Sequence, residues 1–125
     1  AVLESGHRVV PIPGPSALTA FLSVCGLPPI PFYFAGFLSP KGGRRRNQIA
    51  RLQELPALLV FYESPFRIHK LIQDLYTILG DKEIAIGREL TKIHEEIIRS
   101  SLGKLTEDLS KVMAKGEFIV GVNNL

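Results

Sequence analysis

The sequence predicts an α/β fold in which a mixed central sheet of about five strands is flanked by helices. Short apolar runs typical of buried strands alternate with stretches of helical periodicity, and glycines and prolines mark most boundaries. The chain has 125 residues, of which 46% are hydrophobic and 22% are charged, so it can bury the core of one domain. Because helices separate most of the strands, we expect a largely parallel or mixed sheet that is covered on both faces.

The first part of the chain predicts two strands and two helices. Residues 7–12 form a short apolar strand that runs into the stretch PGPS, and a helix over residues 16–25 follows. The aromatic segment FYFAGF, residues 32–37, is the next strand. A helix over about residues 44–54 then ends before Pro56.

The middle of the chain holds the two clearest elements. The run ALLVFY, residues 57–62, is apolar throughout, as in strands that are buried on both faces. In the helix that follows, Ser64 is predicted as the cap and Pro65 as the first turn, and Gly80 ends the helix. The apolar face of this helix has five residues at helical spacing, which are Ile68, Leu71, Ile72, Leu75 and Leu79.

The last part of the chain predicts three strands and one helix. Strands are expected over residues 83–88 and 95–101, and the less regular stretch between them suits an antiparallel pair. Thr106 is predicted to cap a helix that reaches residue 114, before a final strand over residues 118–122. The residues that this helix is expected to turn inward are Leu109, Val112 and Met113.

Composition argues against several functional classes. No apolar run approaches the roughly 20 residues that a membrane-spanning helix needs. The single cysteine, Cys25, excludes an internal disulfide bond and suits a reducing cytosol. His7, His69 and His94 are scattered, and no Cys/His pair has ligand spacing. We therefore expect a cytoplasmic protein that binds no metal and no membrane.

Positive charge is concentrated in one segment. The net charge is +3, but residues 41–51 contain only basic ionisable groups, at Lys41, Arg44, Arg45, Arg46 and Arg51. Such a run is either a solvated surface or a contact for a phosphate-rich partner. Composition does not separate these two interpretations.

Polar residues follow several predicted strands directly. In α/β folds, ligands bind beyond the carboxyl ends of strands, where helix N-termini offer free N–H groups. Each of these junctions also has a simpler structural explanation. Ser16 and Ser64 can start helices, Glu63 can pair with Arg67 across one helical turn, and residues 88–92 can form a surface ion network. Taken alone, the junctions indicate an α/β domain with a polar rim and no named reaction.

Four segments in a fixed order are more specific than any single junction. They are VVPIPGPSALTAFLSVCGLP, FYFAGFLSPKGGRRR, LLVFYESPFRI and GRELTKIHEEI, followed by GEF. Together they resemble the ribosomal RNA small subunit methyltransferase I family of the tetrapyrrole methylase superfamily, over residues 8–122. The resemblance implies an enzyme that uses S-adenosylmethionine to methylate the 2′-hydroxyl of a cytidine in 16S rRNA.

The resemblance also implies that this chain is one half of a larger enzyme. Members of the family have an N-terminal domain with a glycine-rich G-D-x-G-T-P segment, and no such segment occurs here. The chain is therefore expected to be a single C-terminal domain that forms one wall of a cofactor cleft and is inactive alone. Its expected partners are the N-terminal domain, 16S rRNA or the 30S subunit and, by analogy, a second copy of the protein.

Residue functions follow from the resemblance only. The residues expected at the cofactor are Pro13, Gly14, Pro15, Ser16, Phe61 and Tyr62. The residues expected to contact RNA are Lys41, Arg44, Arg45, Arg46, Arg67 and Arg88. Glu63 and Glu89 are the candidate proton acceptors, and Lys92 is a possible electrostatic helper. The ending GVNNL departs from the family pattern, so nothing is carried over beyond Val122.

Two alternatives stay open on the sequence alone. The same fold could methylate a tetrapyrrole or a protein side chain, although the arginine-rich loop argues against a tetrapyrrole. The domain could also be a non-catalytic RNA-binding module, which would bind RNA in a salt-sensitive manner without any dependence on the cofactor.

Overall fold

The computed structural model describes residues 1–12, 14 and 16–125. Within these residues it has five strands, four α-helices and one short 3-10 helix, which confirms the predicted α/β class. In chain order they are α1 (Ala17–Val24), β1 (Phe32–Phe37), α2 (Gly42–Leu52), β2 (Leu58–Glu63), α3 (Ile68–Leu79), β3 (Glu83–Arg88), β4 (Glu96–Ser101), α4 (Leu102–Glu107), the 3-10 helix (Leu109–Lys111) and β5 (Phe118–Asn123).

The five strands form one mixed sheet in the order β1-β2-β5-β3-β4. Only β1 and β2 run parallel, while the other three neighbouring pairs are antiparallel. The mixed sheet and the antiparallel β3/β4 pair are as predicted, whereas a largely parallel sheet is not observed. Since β5 inserts between β2 and β3, its first residues lie beside the last residues of both strands.

One face of the sheet carries the larger core. Alternate residues of β2, such as Leu59 and Phe61, point to this face, because side chains alternate along a strand. They pack with buried residues of α2, α3 and α4. All five residues predicted as the apolar face of α3 are buried. The helical periodicity of the sequence therefore correctly predicts the side of α3 that packs on this face of the sheet.

The opposite face is covered by α1, whose start is capped by the Ser16 hydroxyl as predicted. Phe21 of α1 and Cys25, which follows the helix, share a buried cluster with sheet residues Leu58, Val60, Ala85 and Ile119. Gly121 of β5 allows this close packing, since a Cβ there would lie 2.8 Å from the Phe21 ring. The guanidinium group of Arg99 on β4 donates to the carbonyls of Val24 and Cys25 at the end of α1.

The predicted strand over residues 7–12 is wrong. These residues belong to no strand, and Val9, Val10 and Ile12 are exposed. No strand of the described sheet lies beside them to supply hydrogen bonds, and an apolar run without a partner does not form a stable strand.

The predicted helix over residues 106–114 is also wrong. Ser101 caps α4, so Thr106 lies inside that helix rather than at its start. The Asp108 carboxylate accepts hydrogen bonds from Ser110 and begins the 3-10 helix instead. Such local side-chain bonds compete with continued α-helix. As a result Met113, predicted to face inward, is exposed.

Candidate cofactor and substrate site

Several loops meet at one edge of the sheet. The chain leaves β1, β2 and β3 at this edge, and it enters β5 there because β5 is antiparallel to β2 and β3. Phe118, the first residue of β5, pairs with Glu63 at the end of β2 and with Arg88 at the end of β3. Phe37, the last residue of β1, pairs with Tyr62. The sheet order therefore gathers the polar junctions of the sequence.

An apolar cavity of about 420 Å³ opens at this edge. Its lining comes from the start of α1, the ends of β1, β2 and β3, and the loops that follow β2 and β3 and precede β5. The lining residues are Ala17, Phe37, Tyr62, Glu63, Ser64, Pro65, Gly87, Leu90, Glu117, Phe118 and Ile119. A concave, mostly apolar site with a few polar groups is typical of sites for small organic ligands and cofactors.

Glu63 and Ser64 line the apolar cavity, and the side-chain oxygens of both are buried. The buried Glu63 carboxylate accepts hydrogen bonds from the Ser64 N–H at 2.8 Å and from Arg67 Nε at 3.1 Å. Ser64 is not the helix cap that the sequence predicts, because three turn residues separate it from the start of α3. Its hydroxyl oxygen is buried and has no hydrogen-bond partner among the described residues. An unpaired buried hydroxyl costs about 1–3 kcal/mol, so this position suits a hydrogen bond to a ligand.

A wider cleft of about 870 Å³ is lined by residues that neighbour those of the apolar cavity in sequence, and we call it the polar cleft because five of its nine lining residues have ionisable side chains. Its walls are the loop after β3 and the loop before β5. The residues that line this polar cleft are Arg88, Glu89, Thr91, Lys92, Ile93, His94, Met113, Lys115 and Gly116. Glu89 and Lys92, two of the three predicted catalytic residues, therefore lie in the polar cleft, whereas Glu63 lies in the apolar cavity.

Glu89 joins the two walls of the polar cleft. Its carboxylate accepts a hydrogen bond from the Glu117 N–H at 2.6 Å and pairs with Lys92 Nζ at 3.0 Å. Lys92 Nζ also pairs with the Glu117 carboxylate at 3.2 Å. The backbone hydrogen bond from Glu117, followed by the contact with Lys92, lowers the pKa of Glu89. Hydrogen bonds to Glu89 and Glu117 raise the pKa of Lys92.

The backbone around Glu89 is shaped for this contact. Glu89 has φ 51° and Thr91 has φ 65°, a left-handed conformation that is uncommon for residues other than glycine. Gly116 has φ 88°, and a Cβ at this position would lie 2.3 Å from the nearer Glu89 carboxylate oxygen. The loop pairing therefore requires glycine at position 116. These contacts fix the Glu89 carboxylate between the two loops.

The first four basic residues of the basic segment divide into one buried and three exposed cations. Arg45, predicted to contact RNA, is instead buried in the protein, where its Nε donates to Asp74 of α3 at 2.8 Å. Its guanidinium group also donates to two carbonyls of the loop before α2. The correction follows from helical geometry, because position 45 faces α3 whereas Lys41, Arg44 and Arg46 face solvent.

Of the two aromatic residues predicted at the cofactor, only Tyr62 lines the apolar cavity. Phe61 is fully buried beneath α3, because successive side chains of β2 point to opposite faces of the sheet. The Phe61 side chain is therefore directed into the core and away from the apolar cavity. Gly14 is exposed and Ser16 caps α1, while Pro13 and Pro15 lie outside the described residues.

Arg67 and Arg88, also predicted to contact RNA, are each held by a carboxylate. Arg67 pairs with Glu63, as noted above, and a third of its side chain is exposed. Arg88 donates from Nε to Glu96 at 3.4 Å and from Nη1 to the Lys115 carbonyl at 3.4 Å. Both guanidinium groups are thereby fixed close to the two cavities.

Sequence reasoning missed several residues of the apolar cavity. Phe37, Leu90, Glu117 and Ile119 line it, and none of them was singled out. The sequence position of Phe37 indicates a site residue, because Phe37 ends a predicted strand and lies close to the basic segment. Leu90 and Glu117 lie within the quoted segments RELTK and GEF.

The described part of the chain presents neither a metal centre nor a membrane helix. Among these residues, no group of three or more histidine, cysteine, aspartate or glutamate side chains could hold a metal ion. Within the same ranges, every helix is too short or too polar to cross a bilayer.

A known protein family matches most of the chain. The family model for tetrapyrrole (corrin/porphyrin) methylases matches residues 1–106. The chain belongs to this family. The superfamily predicted from the four sequence segments is thereby confirmed.

Curated relatives of the tetrapyrrole methylase chain are similar over nearly its whole length. Ribosomal RNA small subunit methyltransferase I of Xylella fastidiosa is 44% identical over 123 residues, which are 96% of this chain and 45% of the relative. The protein of that name from Thermotoga maritima is 39% identical and covers 94% of this chain and 52% of its own length. The Bacillus subtilis protein is 36% identical, with 97% and 42% covered. The chain thus spans about half the length of these relatives.

Solved structures of methyltransferases share the fold. The methyltransferase CobJ superimposes with a TM-score of 0.69 at 18% identity, covering 98% of this chain and 53% of that one. Cobalt precorrin-4 methyltransferase, CbiF, superimposes with a TM-score of 0.64 at 15% identity, covering 96% and 54%. At these identities the likeness shows the fold alone.

Proposed function

We propose that this chain is part of a cytoplasmic enzyme that methylates the 2′-hydroxyl of a cytidine in 16S rRNA. The observation that carries the proposal is the similarity, at 36–44% identity, to proteins named ribosomal RNA small subunit methyltransferase I. This similarity includes the loops that line the apolar cavity. S-adenosylmethionine is the methyl donor of the family and is the proposed cofactor.

The chain would supply one wall of a cofactor cleft, and a second domain would supply the other. Two observations support this division. The chain spans about half the length of its curated relatives, and its apolar cavity opens at the edge of the sheet. The proposed activity therefore belongs to the whole protein.

The lining of the apolar cavity suits S-adenosylmethionine. Leu90 and Ile119 offer apolar surface to an adenine ring, and the unpaired Ser64 hydroxyl offers a hydrogen bond to a polar group. When bound, the cofactor supplies a methyl group made electrophilic by the sulfonium charge. The residues of this chain would orient it and keep water away.

Three exposed cations suit the backbone of an RNA substrate. Lys41, Arg44 and Arg46 project from the start of α2, which follows directly from β1 at the cavity edge. Phosphate contacts of this kind supply affinity and register without reading the base sequence. The buried Arg45 supports them indirectly, because it fixes α2 against α3.

Glu63 is the better supported of the two candidate proton acceptors. Methyl transfer to a ribose hydroxyl requires that the oxygen is aligned with the methyl group and that its proton is accepted. Glu63 lines the apolar cavity, where the cofactor is proposed to bind, whereas Glu89 lies in the polar cleft; both carboxylates also accept hydrogen bonds within the protein. We therefore assign proton acceptance to Glu63 and loop positioning to Glu89 and Lys92.

Transfer of labelled methyl groups tests this function. The intact protein would be incubated with labelled S-adenosylmethionine and either undermethylated 30S subunits or naked 16S rRNA. Incorporation into RNA that yields an alkali-resistant dinucleotide containing 2′-O-methylcytidine is expected, because a 2′-O-methyl group blocks alkaline cleavage. Glu63→Gln should lower the rate of transfer with little change in affinity for the RNA.

Other outcomes would contradict the proposal in distinct ways. Label found on a base rather than on a ribose would refute the 2′-hydroxyl as acceptor. Salt-sensitive RNA binding without any transfer would identify a binding module. Transfer to a tetrapyrrole or to protein, with RNA unlabelled, would keep the methylase fold but change the substrate.

A further inference from the structure

Phe37 is the most exposed of the four aromatic residues of β1. Its side chain lines the apolar cavity, yet the residue is 63% exposed, whereas its neighbour Leu38 is buried in the core. Most of the ring surface therefore faces solvent at the rim of the cavity. An exposed aromatic ring at a binding site is available for stacking against a planar ligand.

The ring of Phe37 rests on other aromatic side chains. Its centroid lies 5.5 Å from that of Tyr62, with an interplanar angle of 54°. Tyr62 is packed edge-on against Phe34, with centroids 4.9 Å apart and an angle of 75°. Aromatic pairs at these distances and angles are mutually stabilising. The exposed ring is thus supported from behind and loses little freedom when a ligand binds.

The positive charge next to Phe37 indicates what kind of planar ligand it meets. Only a short loop separates Phe37 from the start of α2, where Lys41, Arg44 and Arg46 are exposed. S-adenosylmethionine carries an adenine ring but no phosphate, so it does not account for three cations. Single-stranded RNA has both bases and phosphates, and proteins bind it with stacking aromatic residues beside positive charge.

We propose that Phe37 is a stacking platform for a base of the substrate RNA. The proposal rests on the proposed function and assigns the part of the site that holds the nucleotide. The three exposed cations hold the flanking phosphates, and the ring of Phe37 places one base at the mouth of the apolar cavity. That placement orients the attached ribose toward the cavity.

The test compares Phe37→Leu with Phe32→Leu in the intact protein. Phe32 lies at the other end of β1, is also exposed, and is not part of the cavity lining, so it is the matched control. The probe is a short single-stranded RNA that contains 2-aminopurine, whose fluorescence falls when it stacks on an aromatic ring. Binding of S-adenosylmethionine is measured separately by calorimetry.

Phe37→Leu should weaken RNA binding by about 5- to 150-fold and abolish the quenching of 2-aminopurine. Because Phe37 also lines the apolar cavity, the affinity for S-adenosylmethionine should fall much less than the affinity for RNA. The dependence of the RNA dissociation constant on salt should keep its slope, because phosphate contacts set that slope. Phe32→Leu should behave as the wild type in all three measurements.

Three results would overturn the proposal. The first is unchanged RNA binding and quenching in Phe37→Leu, and the second is a loss of RNA binding in Phe32→Leu as large as that in Phe37→Leu. The third is a Phe37→Leu variant that loses affinity for S-adenosylmethionine but not for RNA, which would show that the ring stacks on adenine. These results are independent of the proposed function. A wild-type protein that binds and quenches the RNA without methylating it would refute the enzyme and not the stacking platform.

Discussion

The two faces of the sheet differ in how completely they are covered. Among the described residues, the cluster beneath α2, α3 and α4 has 17 buried members, whereas the cluster beneath α1 has six. Tyr62 and Leu90 pack against the smaller cluster and also line the apolar cavity, as does its buried member Ile119. The face that is packed less completely is therefore the one that forms most of the candidate cofactor site.

This difference separates stability from function within one small domain. The three-helix face supplies most of the apolar burial, which is the main favourable contribution to folding. The α1 face leaves apolar surface open for a ligand. Substitutions on the first face should change the free energy of unfolding, and substitutions around the cavity should change binding.

The largest expected effect is on the three-helix face. Leu75→Ala would leave a cavity under α3, and it should lower the free energy of unfolding by roughly 2–5 kcal/mol. Val24→Ala on the exposed side of α1 should change it by less than about 1 kcal/mol. Urea denaturation of the intact protein measures both changes. Similar losses for the two variants would contradict the division between the faces.

The next effect separates the buried arginine from its exposed neighbour. Arg45→Ala removes the closer of the two arginine partners of Asp74, since Arg46 lies at 3.9 Å, and it should lower the free energy of unfolding by about 2–3 kcal/mol. Arg44→Ala should leave stability unchanged but reduce the slope of log Kd for RNA against log salt by about one unit. Denaturation and RNA titrations at several salt concentrations check these outcomes. An Arg45→Ala variant that keeps wild-type stability but has a reduced slope of log Kd against log salt would indicate that Arg45 contacts RNA.

A pair of glycine substitutions tests the loop pairing beside the cavity. Gly116→Ala should destabilise the protein by about 1–2 kcal/mol, because its φ is positive and a Cβ would meet the Glu89 carboxylate. Gly43→Ala is the control, since it lies in α2 with open space around it and should stabilise by about 0.5–1 kcal/mol. Thermal unfolding distinguishes the two directions. A neutral Gly116→Ala would show that the loops separate readily.

The smallest expected effect is a dependence of stability on pH. Because the folded protein lowers the pKa of Glu89, the contribution of its carboxylate is present above the unfolded pKa. It is lost as the pH falls through the folded pKa. The folded protein raises the pKa of Lys92, so the contribution of the lysine charge to stability has the opposite dependence on pH. It is present below the unfolded pKa of the lysine and is lost as the pH rises through the folded pKa.

Glu89→Gln should remove the acid side of this dependence. The difference in unfolding free energy between wild type and Glu89→Gln should shrink as the pH falls through the folded pKa of Glu89. Urea denaturation over a series of pH values measures it, with Glu107→Gln at the exposed end of α4 as the control. A constant difference between wild type and Glu89→Gln at every pH would show that the carboxylate charge is not used in the loop pairing.

The sequence was sufficient for most of the fold because its elements have strong local signals. Periodicity identified the buried face of α3, the apolar run identified β2, and Ser16 identified the start of α1. It failed for residues 7–12 and 106–114, where the outcome depended on a neighbouring strand or on competing hydrogen bonds. Those interactions are not encoded in the local pattern.

The candidate site was predicted only in part, for a related reason. Residue type predicts the same function for Arg45 as for its exposed neighbours, and for Phe61 as for Tyr62. The position of a residue on a helix or strand, however, decides whether its side chain points to the core or to the surface. Residue type makes Glu89 a candidate base, but it does not reveal the contacts of its carboxylate with Glu117 and Lys92. Burial and partners are tertiary properties, and residue type alone does not reveal them.

The central claim is that the apolar cavity is the methyl donor site. Its most direct test is to measure the binding of S-adenosylmethionine to the Ser64→Ala variant. The Ser64 hydroxyl has no hydrogen-bond partner among the described residues, so its removal should not destabilise the protein. Calorimetric titration of the intact protein should show affinity reduced by about 2- to 10-fold, with wild-type affinity in the control Ser23→Ala. Wild-type affinity in a folded Ser64→Ala variant would contradict the claim.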